Sequence, residues 1–262
     1  MKKKILSETK NKVHFIFHLS DIHIRLCQRH DEYKLIFSKV YDILKNTPTG
    51  NHLIVITGDI FHVKSELSPE CEVICFEFFK TLESFYPLLI LPGNHDALLN
   101  NRDRLDNISP ILYERNLKNT FYLKETGIYQ FDNIQFFIDS LLDDIHLNME
   151  CIEPSSDFIN IALYHGQIKG WQNLSGYISD TWDKYIKDFL GMDYVLLGDI
   201  HRHQYISKEK PIMAYAGSLI SQNFGETDLL HGILQWDLLL KNQIFLPIDN
   251  PYRYQDIYIL SR

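Results

Sequence analysis

The chain has 262 residues, 45% hydrophobic and 23% charged, with 34 acidic against 26 basic side chains and a net charge of −8. That length suits one large domain spanning 1–262, and the acidic balance argues against a protein that grips nucleic acid by bulk positive charge. Apolar runs are strand-sized, too short for a membrane span, and the polar stretch 7–12 stands where a secretion signal needs an apolar core. Cys27, Cys71, Cys75 and Cys151 show no zinc spacing and read as free thiols of a reducing, intracellular compartment.

Elements alternate through the first half. Residues 13–19 read as a strand and 31–45 as a helix, with Leu35, Ile36, Val40, Ile43 and Leu44 along one stripe. A strand follows at 53–57. The next helix is Pro69–Phe85, with Ser68 as N-cap and Pro69 at its first position. The short apolar stretch Leu88–Leu91 comes next, and Ser109 with Pro110 opens a helix to about Arg115. Strands are then expected at 120–123, Gly127–Phe131, 134–139 and 159–164, a helix at 182–190, and a strand at 194–197. The end is strand-rich, at 212–216, 232–238, 243–247 and 252–260. A βαβα beginning with a strand-rich end predicts an α/β fold of two mixed sheets packed face to face and flanked by helices.

Five polar clusters punctuate this order: Asp21-Ile22-His23, Gly58-Asp59-Ile60-Phe61-His62, Gly93-Asn94-His95-Asp96, Tyr164-His165-Gly166 and Gly198-Asp199-Ile200-His201. Each follows an apolar, strand-like run, where a rigid strand ends and the following loop can aim a side chain. Asp21 and His23 can offer an oxygen and a nitrogen to one ion. Asp59 can bridge two cations with its two oxygens, and His62 can face the same cleft. Asn94 can give a neutral amide oxygen, His95 can act as general acid or hydrogen-bond donor, and Asp96 can orient the His95 ring. His165 would add an imidazole. Singly, Asp21 reads first as a helix cap and His23 and His165 as structural histidines; the ordered set of five gives them meaning.

This pattern resembles the calcineurin-like metallophosphoesterase superfamily. Gly-Asp-Ile-Phe-His at 58–62, Gly-Asn-His-Asp at 93–96, and Tyr215-Ala216-Gly217-Ser218 followed by Asn223-Phe224-Gly225-Glu226 are similar to the SbcD-like nuclease branch of double-strand-break repair. The likeness runs over about 15–236 and extends to uncharacterised phosphoesterases of large DNA viruses. It implies a four-layer α/β/β/α sandwich and a two-metal phosphodiesterase, most simply a DNA exo- or endonuclease; a phosphoesterase for nucleotides or other small phosphoesters uses the same centre. By resemblance, Asp21, His23, Asp59 and His201 hold one divalent ion, and Asp59, Asn94, His165 and position 199 hold the other. The catalytic residues implied are His95 and His62, and the ions Mn2+ or Mg2+. The family usually has histidine where this chain has Asp199, so either Asp199 is the ligand, tilting the site toward those hard ions, or His203 takes its place. The partners implied are DNA, an SbcC-type ATPase and a second copy of the chain. No capping domain or ATPase-binding segment is evident after the last core strands. Basic residues expected near the site are Arg25, Lys64, Arg102, Arg104 and Arg202.

Overall fold

Central strands of this chain are buried along their whole length, because apolar layers press on both of their faces. The computed structural model describes residues 2–9, 11–101, 103–149, 152–172, 176, 178, 183–226, 229–252 and 254. Its strands are β1 (Lys3–Ser7), β2 (Phe15–Leu19), β3 (His52–Thr57), β4 (Leu88–Leu91), β5 (Thr120–Tyr122), β6 (Gly127–Phe131), β7 (Ile134–Ile138), β8 (Ile159–His165), β9 (Tyr194–Gly198), β10 (Gln204–Ser207), β11 (Ile212–Tyr215), β12 (Gly232–Asp237) and β13 (Asn242–Pro247). The helices are α1 (His30–Lys45), α2 (Pro69–Phe85) and α3 (Ser109–Arg115). Two mixed sheets form, ordered β1-β6-β7-β8-β9-β11-β10 and β13-β12-β2-β3-β4-β5.

Side chains alternate between two cores. Phe17, Leu19, Ile54, Ile56, Leu88 and Ile90 face the helices, where Phe37 of α1 stacks on Phe78 of α2 with ring centroids 3.8 Å apart. Ile16, Leu53, Val55, Leu89 and Leu91, with Trp236 of β12 beside them, face the second sheet and meet Phe136, Ile138, Ile161, Leu163 and Leu196. Helix α2 begins as its sequence predicts, with Ser68 Oγ accepting the Cys71 amide and Pro69 in the first turn, and Cys71 and Cys75 are buried thiols on it. Among the described residues no helix is long and apolar enough to cross a membrane.

Two strands escaped the sequence reading. β1 and β10 are the two edges of their sheet and carry lysines or half-exposed polar residues, which hides the apolar alternation. The helix expected at 182–190 is a 3-10 turn, Ile186–Phe189. Asp183 and Lys184 both donate main-chain N–H groups to the Gln167 carbonyl, which holds that stretch extended and postpones any helix, and Gly191 at φ 96° ends it. Trp182 and all of the strand expected at 252–260 except Tyr252 and Tyr254 lie outside the described residues.

Asp106 anchors the start of α3. Its carboxylate accepts from Ile108 N, Ser109 N, Ser109 Oγ, Tyr122 Oη and Lys124 Nζ, the last at 2.7 Å. Burial pushes its pKa up, but Lys124 and Ser109 outweigh that and hold it below the usual carboxylate range. A depressed folded value means stability that is present above the unfolded pKa of about 3.9 and lost as pH falls through the folded value. Asp106→Ala should therefore destabilise by about 1–3 kcal/mol at neutral pH, and its deficit against wild type should shrink on acidification. Urea midpoints across pH check this; a deficit that grows as pH falls would contradict it.

Strands β2, β3 and β4 run parallel in one sheet, as do β8 and β9 in the other. β3 packs across the interface on both β8 and β9. Their carboxyl ends therefore open at one place.

Candidate metal centre

The residues after these strands depart from ordinary backbone geometry. Asp21, His23, Asp59 and Asp199 have φ of 51°, 52°, 55° and 91°, in the left-handed region that side chains seldom enter. Each costs on the order of 1–3 kcal/mol and persists only where the surroundings impose it. Here a ladder imposes it: Asp21 N donates to Gly58 O, His23 N to Asp59 O and Ile24 N to Ile60 O, at 3.1, 2.9 and 2.8 Å. Asp199 N donates to the Asp21 carboxylate. Glycine permits the close approach of the two sheets. A Cβ on Gly198 would stand 2.0 Å from Thr57 O and 2.7 Å from His165 Nδ1.

Asp59 lies at the centre. Its Oδ2 is 3.5 Å from His23 Nε2, its Oδ1 is 3.4 Å from His165 Nε2, and Oδ1 also accepts the His95 amide at 2.8 Å. His165 donates from Nδ1 to Thr57 O, which leaves Nε2 toward the carboxylates, 3.8 Å from Asp199 Oδ1. His23 Nε2 and His201 Nε2 stand 3.0 Å apart, and Asp21 joins them in one group and joins Asp59 and His165 in another. His62 and His95 complete a third group with His23. Every residue of the sequence-derived set is thus beside this centre except Asn94, whose position is marked by another feature: its Oδ1 is buried with no protein partner. The His165 Nε2 is buried too, with only the Asp59 and Asp199 carboxylates for neighbours.

The electrostatics match. Burial opposes charge on both His165 and Asp59, yet Asp59, Asp21 and Asp199 raise His165 to about 10, while His165 and His23 hold Asp59 well below the carboxylate range. Burial pushes Asp21 up to about 6 and drives His23 well below its ordinary value. Buried carboxylates and imidazoles at ligand spacing, with the orphaned Asn94 oxygen among them, are a donor set that divalent cations fit by displacing the proton that the carboxylates hold on His165.

One expectation changes, and one open alternative narrows. Asp96 does not orient the His95 ring. Its buried carboxylate accepts from Ile60 N, Phe61 N and Gly93 N, tying the loop after β3 to the loop after β4, and the His95 ring donates from Nδ1 to His62 O at 2.7 Å. Of the two alternatives at the fifth cluster, Asp199 reaches the centre. His203 instead bonds Tyr215 O through Nδ1 and stacks on Phe245 with centroids 4.3 Å apart. With Mn2+ as probe, Asp199→Ala should weaken metal binding, and His203→Ala should leave it within about threefold. Calorimetric titration measures this, and the reverse ranking would move the fifth cluster two residues along.

Arg25 stands close by, with Nη1 3.1 Å from His62 Nε2 and Nη2 on Gln222 O. Arg104 is occupied by Ser65 O, and Arg102 lies outside the described residues. A recess of about 290 Å³ adjoins the centre, lined by Trp171, Asp199, His201 and Arg202 among others. Sequence reasoning missed Glu226 as a site residue, although it singled out the Phe-Gly-Glu stretch: its Oε1 accepts from His201 Nδ1 at 2.8 Å.

The sequence model of the calcineurin-like phosphoesterase family matches residues 16–203. The chain belongs to that family. The matched span begins in β2 and ends just past His201, so it includes all five clusters. Among relatives, the uncharacterised protein R555 of Acanthamoeba polyphaga mimivirus is 43% identical over 270 residues, covering 98% of this chain and 20% of its own length. The uncharacterised metallophosphoesterase YhaO of Bacillus subtilis (strain 168) is 35% identical over 68 residues, 26% of this chain and 16% of that protein. This family member thus spans a fifth or less of the curated relatives it matches. Among solved structures, an archaeal phosphodiesterase aligns with a TM-score of 0.48 and 13% identity over 89% of this chain and 99% of its own.

Proposed function

We propose that this chain is a two-metal phosphodiesterase acting on DNA. The observation that carries the reading is the Asp59 carboxylate, which turns one oxygen to His23 and the other to His165. Asp21, His23, Asp59 and His201 would hold one cation, and Asp59, Asn94, His165 and Asp199 the other. Three carboxylates and an amide oxygen beside three imidazoles favour Mn2+ or Mg2+. When bound, two such ions would offset phosphate charge and supply Lewis acidity for in-line displacement at phosphorus. His95 is held by His62 O through Nδ1, so its protonated ring would deliver a proton from Nε2 to the leaving oxygen. His62 lines the same side with its ring and holds His95 with its carbonyl.

DNA as substrate rests on the Gly-Asp-Ile-Phe-His, Gly-Asn-His-Asp and Gly-Ser…Phe-Gly-Glu stretches, which are similar to those of SbcD-like nucleases. A small phosphoester is the second reading, favoured by the modest size of the recess beside Asp199 and His201, about 290 Å³, and by the net charge of −8. Linear duplex DNA, single-stranded DNA and a chromogenic phosphodiester, each with Mn2+ and with chelator, separate the two. Cleavage of DNA with Mn2+ supports the first; turnover of the chromogenic ester alone supports the second. No turnover of any substrate would sink both.

A further inference from the structure

We propose that Glu226 is the positioning residue for His201, holding its ring so that Nε2 faces the cation that Asp21, His23 and Asp59 would share. The proposal rests on the two-metal reading above and adds to it a residue from outside the five clusters.

Glu226 is only 1% exposed, and each carboxylate oxygen is engaged. Oε1 accepts from His201 Nδ1 at 2.8 Å and from Asn223 Nδ2 at 2.6 Å, and Oε2 accepts from the Gln222 amide at 2.7 Å. The backbone is fixed as well. Glu226 N donates to Asn223 O, closing a 3-10 turn, and Ser221 Oγ donates to Glu226 O. A carboxylate held on these sides has one place to stand, so it dictates which imidazole nitrogen carries the proton. Nδ1–H points to Glu226, and the Nε2 lone pair is left 3.0 Å from His23 Nε2. A histidine that donates to a carboxylate in this way is a better-aimed and more basic ligand, an effect worth about 10–100-fold in metal affinity.

The same loop is anchored elsewhere. Ser218 N donates to His201 O, and Arg25 Nη2 binds Gln222 O while its Nη1 meets His62. The loop therefore touches a proposed ligand directly and reaches a proposed catalytic histidine through Arg25.

The test uses Mn2+ as probe, with calorimetry on wild type, Glu226→Ala and Glu226→Gln, and nitrogen NMR of His201 in the metal-free proteins at alkaline pH. Wild type should show the Nδ1–H tautomer and two binding steps. Glu226→Ala should lose that tautomer and weaken one step about 10–100-fold, leaving the other unchanged. Glu226→Gln should keep the tautomer through its amide oxygen and lose less than about tenfold, although its amide nitrogen opposes Gln222 N–H and lowers the melting temperature. A merely structural role predicts the opposite, with affinity following melting temperature in both variants and the tautomer unmoved. That result, or an Nε2–H tautomer in wild type, overturns the proposal. If the alanine variant does not fold, the wild-type tautomer and the glutamine variant decide it. Failure of wild type to bind Mn2+ would instead overturn the reading of the centre.

Discussion

Asp59→Asn is expected to abolish metal-dependent hydrolysis while the protein stays folded. The substitution keeps the side chain's shape and its ability to accept the His95 amide, but it removes the one charge set between His23 and His165. Both proposed cation positions would lose affinity together, so the loss should exceed the about 10²–10³-fold that deletion of a single transition-state hydrogen-bond donor brings. Turnover with Mn2+, with a calorimetric isotherm on the same sample, measures it. Undiminished turnover would show that Asp59 does not bridge.

His95→Ala is expected to separate chemistry from binding. The ring is beside His23 and His62, but its Nδ1 is committed to the His62 carbonyl, and the centre keeps every proposed ligand without it. Two Mn2+ steps should remain with affinities near wild type, while turnover falls about 10²–10⁴-fold, the range for loss of a general acid. A missing binding step in this variant would make His95 a ligand.

Most of this centre is legible in the sequence because its chemistry restricts residue type and its fold restricts position. Five strand ends in a row that present Asp, His or Asn fit little besides a shared ligand set, and burial on both faces makes β2, β3, β4, β8 and β9 continuous apolar runs. What stayed hidden depends on partners distant in the chain. Glu226 acts on a histidine 25 positions away through a loop whose path no local pattern encodes. Asp96 misled by adjacency: neighbours in a turn point apart, and its carboxylate reaches the Ile60 and Phe61 amides rather than the next ring. The choice between Asp199 and His203 needed the pairing of β10 with β11, which sets Gln204 opposite Tyr215 and sends His203 to the Tyr215 carbonyl. Edge strands β1 and β10 were lost for a different reason, since solvent exposure removes the signal by which strands are read.

Asp21, Asp59 and Asn94 hang from one sheet, and His165, Asp199 and His201 from the other. A cation shared across that seam would act as a rivet through two plates, resisting any sliding of one sheet over the other. Its grip reaches the Ile16, Val55, Leu163 and Trp236 layer as much as the substrate. At a hundredfold excess over its dissociation constant, an ion that binds the folded chain alone adds about 2.7 kcal/mol to the free energy of unfolding. Loss of metal would then loosen the architecture together with the chemistry, and the resting molecule would be sturdiest when charged for work.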